Sequence, residues 1–356
     1  MDKMTHAKFN FNNFLLAISS GIDNAIEKNK HNIPYSSLRV AYIALKIASF
    51  NDFSKQDLSD ITSYIILSKH HLDTRILKQF PFINFAIFEN DTLHNILHLC
   101  DAVENHLEMK NNFVVNKSEI ISLAESLLLD EVIQENFLYL AENESFWLDL
   151  ASLQRLPFFI LDMLEDTTLE LEYDKLLLIG KTIEQIIYKY ANRTSKHSIN
   201  ELLSVMAKLY NFDNKDTSRF ILSGYLHRIG LLKIPKEIIT KRDSLTPLEY
   251  DTIKSVPYYS KEILSMIFGF DDIAKLVATY YEKLDGSGYP YHIEGNELSL
   301  KERVCAVLCI YQAMSEMRPY RETLSQNEIF KILEEDGKGR RLDISVIKDL
   351  KTIIDM

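Results

Sequence analysis

The stretch YEKLDGSGYP at positions 281–290 is the most informative part of this chain. Two glycines and one proline within ten residues are typical of a shaped loop, because glycine permits positive φ angles and proline fixes its own φ. A helix is predicted to lead into this loop, roughly from Asp272 to Leu284, and the pair Tyr280 and Tyr281 lies near its end. The sequence therefore predicts a helix followed by a constrained polar loop.

Capping boxes mark several helix starts in the second half of the chain. Residues 246–249 combine a capping box with proline at the first helical position, and residues 299–302 open a helix that runs to about Glu316. Residues 325–328 open a third helix. A further helix near residues 198–201 is predicted to bury Leu202, Met206, Leu209 and Tyr210. No segment alternates apolar and polar residues for long enough to predict a strand, so the predicted fold class is all-α.

Composition supports a helical protein of about two domains. The chain has 356 residues, of which 46% are hydrophobic and 26% are charged. No glycine occurs between Gly21 and Gly180, which favours helices with short connections. The apolar periodicity is interrupted near residues 165–178, and a weak internal repeat relates the two halves. We therefore predict domains at residues 1–172 and 173–356.

The charge and the cysteines indicate where such a protein would act. A net charge of −11 without a basic run argues against binding to nucleic acid or to an anionic membrane. The three cysteines form no CxxC motif, which fits a reducing compartment. No apolar run approaches the length of a membrane-spanning helix. We expect a cytoplasmic protein that does not insert into membranes.

Two motifs in the second half resemble the HD-GYP family, metal-dependent phosphodiesterases of cyclic di-GMP. The sequence DGSGYP at 285–290 and the sequence RPYR at 318–321 occur in the order and spacing of that family. The resemblance runs from His197 to Arg321, about a third of the chain. It implies two helical-bundle HD-like domains in tandem. The resemblance also assigns a signature loop, whose residues are Glu282, Lys283, Asp285, Gly286, Gly288, Tyr289 and Pro290.

The resemblance implies a metal-ligand set, because HD-GYP proteins bind metal through imidazoles and carboxylates and activate water on it. The matching positions in this chain are His197, His227, Arg228, Val256, Tyr280, Tyr281 and Cys309. Only His197 and His227 keep the residue type. Arg228 replaces the aspartate of the His-Asp pair, and Tyr280 and Tyr281 replace a His-His pair. In the first half, the matching positions hold Ser36, Ser68, Lys69 and, as the one ligand that survives, Asp101.

An arginine at a ligand position argues against metal chemistry. A guanidinium stays protonated, so it repels a dication and offers no lone pair. We therefore predict no metal, no cofactor and no catalytic residues. Arg228, Lys283, Arg318 and Arg321 form a candidate phosphate-binding set. In the alternative interpretation Arg228 pairs with a carboxylate, and the tyrosines simply fill a vacated pocket.

The leading functional hypothesis is a catalytically inactive HD-GYP-like signalling protein that binds a protein partner or cyclic di-GMP. In the family, the signature loop is associated with contact to diguanylate cyclase (GGDEF) proteins, and the resemblance implies such a partner here. The alternative is an active cyclic di-GMP phosphodiesterase with a rebuilt metal site, for which His197 and His227 are the inherited candidates. A nucleotide sensor that uses Arg228, Arg318 and Arg321, and a purely structural helical adaptor, also remain open.

Overall fold

The computed structural model describes residues 6–25, 31, 33–68, 84–165, 168–192, 199–316 and 323–355. The chain divides into two compact units. The first unit is Asn10–Thr168, and the second unit is Leu169–Met356 together with Met1–Phe9. The division falls a few residues before the predicted boundary at residue 172, and the N-terminal strand joins the second unit. The predominance of helices in the described residues confirms the all-α prediction.

The first unit is built around one buried helix. Helix α2 buries eleven of its thirteen residues, among them Leu38, Tyr42 and Leu45, and it packs against α3, α4 and α8. The helices of this unit are α1 (Phe11–Ala25), α2 (Ser36–Ala48), α3 (Lys55–Ser68), α4 (Asp91–His106), α5 (Lys117–Ser126), α6 (Glu131–Ala141), α7 (Glu144–Ala151) and α8 (Leu156–Met163). A 3-10 turn, Phe85–Glu89, precedes α4.

The second unit packs α9, α10 and α11 together and places α14 against α15. Its helices are α9 (Tyr173–Tyr190), α10 (Ile199–Leu209), α11 (Asn214–Leu226), α12 (Lys236–Ile239), α13 (Pro247–Lys254), α14 (Val256–Ser265), α15 (Asp271–Ala278), α16 (Leu300–Ser315), α17 (Gln326–Lys338) and α18 (Ile344–Asp355). A 3-10 helix, Ile229–Lys233, links α11 to α12. All three predicted capping boxes are present, at Thr246, Ser299 and Ser325.

The described residues include four short strands that the sequence pattern did not predict. β1 (His6–Asn10) pairs with β4 (Thr168–Glu172). β2 (Met109–Lys110) pairs antiparallel with β3 (Phe113–Val114). Strands of two to five residues are too short to leave a period-two pattern. They do not change the fold class.

Two helix predictions in the second unit are wrong in detail. The helix expected to reach Leu284 ends at Ala278, because the hydroxyl of Thr279 donates to the carbonyl of Leu276 (2.8 Å) and residues 279–281 turn instead. The buried face of helix α10 differs from the face that the sequence predicted. Leu209 is 49% exposed, whereas Leu203 is buried because it packs against Gly224 of α11.

Candidate functional site

The end of α11 and the following 3-10 helix position the centre of the candidate site. His227 is buried, and its Nδ1 lies 2.6 Å from the carbonyl oxygen of Gly224, to which it donates. The hydroxyl of Ser260 donates to the carbonyl of His227 (3.0 Å) and accepts from the amide of Gly230 (2.8 Å). A Cβ at Gly230 would lie 2.1 Å from the carbonyl oxygen of Val256, so only glycine fits there. These contacts fix the backbone that carries His227 and Arg228.

Tyr280 fills the space beside His227. Its ring stacks on the imidazole with centroids 4.8 Å apart and an interplanar angle of 17°. The phenol is fully buried, shares a hydrogen bond with the hydroxyl of Ser223 (3.0 Å) and contacts the thiol of Cys305. Burial is the main cause that raises the pKa values of Tyr280 and Cys305 well above their ordinary values, so both stay neutral. Tyr280 is therefore a packed core residue with a satisfied hydroxyl.

Arg228 is buried and engaged by side chains from two helices. Its Nη1 donates to both carboxylate oxygens of Glu316 (3.1 Å each), and its Nη2 donates to Oε1 of Gln312 (3.3 Å). The hydroxyl of Tyr188 lies 3.5 Å from Nη1. Burial is the largest single influence and lowers the pKa of Arg228, but the charge of Glu316, together with Tyr188, Tyr281 and Cys309, raises the pKa above its ordinary value. The guanidinium is thus held as a permanent buried cation by an internal carboxylate.

A second carboxylate, Glu184, lies near this ion pair. Glu184 is on α9 one turn before Tyr188, and its Oε1 accepts from the side-chain amide of Asn200 (3.3 Å). The pKa of Glu184 is raised to about 7, mainly by burial; the charge of Arg228 lowers it and the charge of Glu316 raises it. One guanidinium therefore faces two carboxylates, and one of these titrates near neutral pH.

Glu184 gives a testable pH dependence of stability. Because its folded-state pKa is raised from 4.5 to about 7, its protonated form favours folding, and this contribution is lost as the pH rises through about 7. Glu184→Gln should therefore stabilise the protein by about 2 kcal/mol at pH 8 and have little effect at pH 4.5. Urea unfolding of both proteins at these two pH values measures the difference. The exposed Glu201→Gln serves as the control, and parallel pH profiles for parent and Glu184→Gln would contradict the prediction.

The signature loop is held by one buried carboxylate. Glu282 is fully buried, and its two oxygens accept from the amides of Tyr291 (2.7 Å) and Ile293 (3.1 Å). A Cβ at Gly288 would lie 2.4 Å from the backbone nitrogen of Lys283. Only glycine therefore allows the two backbone segments to approach this closely. Lys283 is half-buried. Of the seven predicted loop residues, Glu282 and Gly288 thus have clear structural roles.

Aromatic stacking and local hydrogen bonds complete the loop. The ring of Tyr281 stacks on that of Tyr289 with centroids 5.2 Å apart, and the Tyr289–Pro290 peptide bond is cis. The carboxylate of Asp285 accepts from the amide (3.0 Å) and the hydroxyl (2.6 Å) of Ser287. The hydroxyl of Ser287 is the main cause that lowers the pKa of Asp285. Tyr281 therefore belongs to the loop, whereas its neighbour Tyr280 belongs to the core beside His227.

The donor set around Arg228 does not fit a transition-metal site. Val256 is a buried alkyl group, Tyr280 covers the imidazole of His227, and Arg228 repels a dication. Cys309 is a buried thiol close enough to Arg228 to influence its pKa. Within the described part of the chain, no group of three His, Cys, Asp or Glu side chains could hold a metal ion. Four of the residues named from the sequence lie outside that part, namely Lys69, His197, Arg318 and Arg321.

The first unit contains a comparable buried ion pair that the sequence interpretation missed. Arg39 of α2 and Glu104 of α4 are 0% and 1% exposed, and Nε donates to the carboxylate at 2.7 Å. The guanidinium also donates to the carbonyl oxygens of Pro34 and Ile33. Arg39 follows the ligand-equivalent Ser36 by one helical turn, and Glu104 follows the ligand-equivalent Asp101 by one turn. Arg39 was not predicted because a charged residue on a helix is more often solvated.

The alternative interpretation, in which Arg228 pairs with a carboxylate, is confirmed, but the sequence did not identify the partners. Glu316, Gln312, Tyr188 and Glu184 come from α9 and from the end of α16, 40 to 88 residues away from Arg228. Gln312 and Glu316 lie one turn apart, so their spacing places them on the same side of α16. No sequence pattern indicates that this side contacts Arg228. The prediction that Arg228 belongs to a phosphate-binding set remains untested, and such binding would compete with Glu316.

Comparison with known proteins shows what the second half of the chain is similar to. The family model described as "HD domain" matches residues 181–346. The resemblance to the HD-GYP family is thereby confirmed for the second half of the chain.

Relatives with named activities match part of the chain. A 3'3'-cGAMP-specific phosphodiesterase 1 of Vibrio cholerae is 30% identical over 179 residues, which is 50% of this chain and 42% of that protein. A cyclic di-GMP phosphodiesterase of the same organism is 31% identical over 133 residues, 35% of this chain and 27% of the relative. The chain thus spans less than half the length of either relative.

A solved structure shares the fold over nearly the whole chain. The crystal structure of the cyclic GMP-AMP-specific phosphodiesterase V-cGAP3 of V. cholerae has a TM-score of 0.58, with 98% of this chain and 99% of that chain covered. At 16% identity this similarity concerns the fold. Among the described residues, no helix combines the length and apolar character needed to cross a bilayer.

Proposed function

We propose that this chain is a catalytically inactive relative of the HD-GYP phosphodiesterases that acts by binding. The observation that carries the proposal is the buried Arg228–Glu316 ion pair at the position of the family's His-Asp aspartate. A guanidinium neutralised by an internal carboxylate supplies neither a metal ligand nor a general base. Tyr280 supports the same conclusion, because it occupies the open face of the imidazole of His227.

The signature loop is the proposed contact surface. Asp285 and Ser287 are exposed and Tyr291 is 38% exposed, while Glu282 fixes the backbone beneath them. A preformed loop loses little conformational entropy on binding. The partner proposed from the family resemblance is a GGDEF-type protein, and a cyclic dinucleotide of the kinds named for the relatives is the proposed small ligand. The proposed location is the cytoplasm, where three free thiols are stable.

The decisive test combines metal content with turnover. Protein purified under reducing conditions without chelators should contain iron, manganese and zinc at background level. It should leave cyclic di-GMP and 3'3'-cGAMP intact in the presence of added Mn²⁺ or Fe²⁺. Near-stoichiometric metal, or hydrolysis that disappears in His227→Ala, would overturn the proposal.

The second candidate function is an active phosphodiesterase with a rebuilt metal site. The names of the relatives favour it, because both matched proteins are phosphodiesterases. It requires a general base and an activated water, for which His227 and His197 are the inherited candidates. Turnover by the parent protein combined with loss in His227→Ala would establish this alternative.

The loop proposal has its own test. A purified GGDEF domain immobilised on a sensor should bind the parent protein and should bind the double variant Tyr289→Ala/Pro290→Ala at least tenfold more weakly. Lys331→Gln, an exposed position on α17, is the matched control. Equal binding by all three proteins would remove the loop as the contact surface.

A further inference from the structure

The outer side of helix α6 exposes apolar side chains at helical spacing. Val132 and Tyr139 are 54% and 61% exposed, and they lie seven residues apart, on the same side of the helix. Leu128, four residues before Val132, is fully exposed. Phe50, just after α2, is 47% exposed, and its ring contacts that of Tyr139 edge-on, with centroids 5.8 Å apart. These four residues form the apolar strip, and a group of exposed apolar side chains is typical of a contact site.

Most of the apolar strip lies in a segment whose charges are all negative. Residues 118–154 contain eight acidic residues and no lysine, arginine or histidine, so the segment has a net charge of −8, against −11 for the whole chain. Glu135 lies between Val132 and Tyr139 on the same side of α6. Seven of the eight acidic side chains are exposed, namely Glu119, Glu125, Asp130, Glu131, Glu135, Glu142 and Glu144.

These seven carboxylates are not neutralised from within the chain. Among the described residues, none of them forms an ion pair with a lysine, arginine or histidine. Lys117 and Arg155 flank the segment in the sequence, and the ammonium of Lys46 lies over the ring of Tyr42, 5.3 Å from its centroid. Exposed charges of one sign repel one another and attract a molecule of the opposite sign. Charge complementarity therefore favours a positively charged partner.

We propose that the apolar strip binds a basic amphipathic segment of another protein. Apolar side chains of the partner pack on Val132, Tyr139 and Phe50, and its lysines and arginines pair with the surrounding carboxylates. Nucleic acid and anionic membranes are repelled by the same negative charge, as is a second copy of this face. The strip belongs to the first unit and contains no residue of the signature loop or of the Arg228 centre. It is therefore a contact surface in addition to the one proposed above.

Fluorescence anisotropy of labelled peptides mixed with the full chain tests the proposal. The probe is a peptide of leucine and lysine in which all leucines lie on one side of the helix. It should bind the parent protein, and its affinity should fall as salt rises, because salt screens attraction between exposed charges. Two control peptides should bind at least about tenfold more weakly. One has the same composition with the leucines spread around the helix, and the other has glutamate in place of lysine.

A pair of double variants tests the apolar contacts. Val132→Ser/Tyr139→Ser should weaken binding of the leucine–lysine peptide by about tenfold or more, because both side chains lie in the proposed contact. Leu248→Ser/Tyr250→Ser is the matched control, since it removes one aliphatic and one aromatic side chain that are exposed in the second unit. The emission of the buried Trp147 shows whether the first unit of each variant is folded.

A second pair of double variants tests the charges. Glu131→Gln/Glu135→Gln should weaken binding of the leucine–lysine peptide and reduce its salt dependence. Glu201→Gln/Glu335→Gln removes the same charge from exposed positions of the second unit and should leave binding unchanged.

Four results would overturn the proposal. They are no binding of the leucine–lysine peptide, equal binding of the peptide with spread leucines, and equal affinity of Val132→Ser/Tyr139→Ser and the parent protein. The fourth is a dimer of the parent protein in sedimentation velocity that is lost in Val132→Ser/Tyr139→Ser, which would assign the strip to a second copy. The peptide comparison on the parent protein decides the question even if a variant folds poorly. Metal content, turnover and GGDEF binding play no part in this test, so its failure leaves the proposed function unaffected.

Discussion

Replacement of Arg228 by methionine is expected to lower the free energy of unfolding by about 3–5 kcal/mol. The substitution leaves the carboxylate of Glu316 buried without its cation, and Glu184 nearby adds a second negative charge. A carboxylate in that position must either take up a proton or draw water into the core. Urea unfolding followed by far-UV circular dichroism at pH 8 measures the change.

The double variant Arg228→Met/Glu316→Met separates charge from packing. Replacing both partners with side chains of similar length should recover most of the lost stability, because the carboxylate of Glu316 is removed together with its cation and the remaining carboxylate, Glu184, can take up a proton. Arg242→Met, at an exposed position, should change stability by less than about 0.5 kcal/mol and is the matched control. A loss for Arg228→Met no larger than that of Arg242→Met would show that the ion pair is not what holds this centre together.

Replacement of Arg39 by methionine is expected to have an effect of similar size in the first unit, again about 3–5 kcal/mol. Arg39 is 0% exposed and Glu104 is 1% exposed, so neither solvent nor another charge can compensate for the lost guanidinium. Two backbone carbonyls, those of Pro34 and Ile33, also lose a donor. The sole tryptophan, Trp147, provides the readout, because it is buried in this unit with its indole N–H donating to the carbonyl of Ala141 (2.8 Å).

Fluorescence of Trp147 during urea unfolding should show a lower midpoint for Arg39→Met. The double variant Arg39→Met/Glu104→Met should return close to the parent midpoint, for the reason given for Arg228. Arg155→Met is the control in the same unit, since Arg155 is exposed and its one described aromatic contact, over Phe159, is worth less than about 1 kcal/mol. Equal midpoints for Arg39→Met and Arg155→Met would refute the assigned role of the buried pair.

The two buried ion pairs suggest a common arrangement in the two units. In each unit a guanidinium contacts the carboxylate at or near the helix that holds the predicted position of the family's last aspartate, α4 in the first and α16 in the second. A guanidinium held by a carboxylate is a positive charge that belongs to the chain itself. In a metal-dependent protein, a bound metal ion supplies the positive charge. This arrangement agrees with the proposal of a protein that does not depend on metal, and the metal analysis above tests it.

Much of the local structure could be read from the sequence. Capping boxes predicted three helix starts correctly because the signal, a hydroxyl and a glutamate three residues apart, is contained in four consecutive residues. The loop at 281–290 was also predicted, because glycine widens the range of φ angles open to the backbone and proline fixes its own φ, whatever the surrounding sequence. The buried face of α10 was predicted wrongly because packing against α11 decided it, and the end of α15 was predicted wrongly because the chain turns at residues 279–281.

The sequence by itself determined the all-α class, the constrained loop and the family resemblance, and it led to the prediction that most ligand positions hold other residues. Each of these depends on residue types and on their spacing along the chain. Only the tertiary structure decided that Arg228 meets Glu316 and that Tyr280 covers His227 while Tyr281 joins the loop. The pKa of Glu184 near 7 likewise depends on burial, which no local pattern reports. The reason is physical: the energy of a buried charge depends on the partners that surround it, and here these come from helices far apart in the chain.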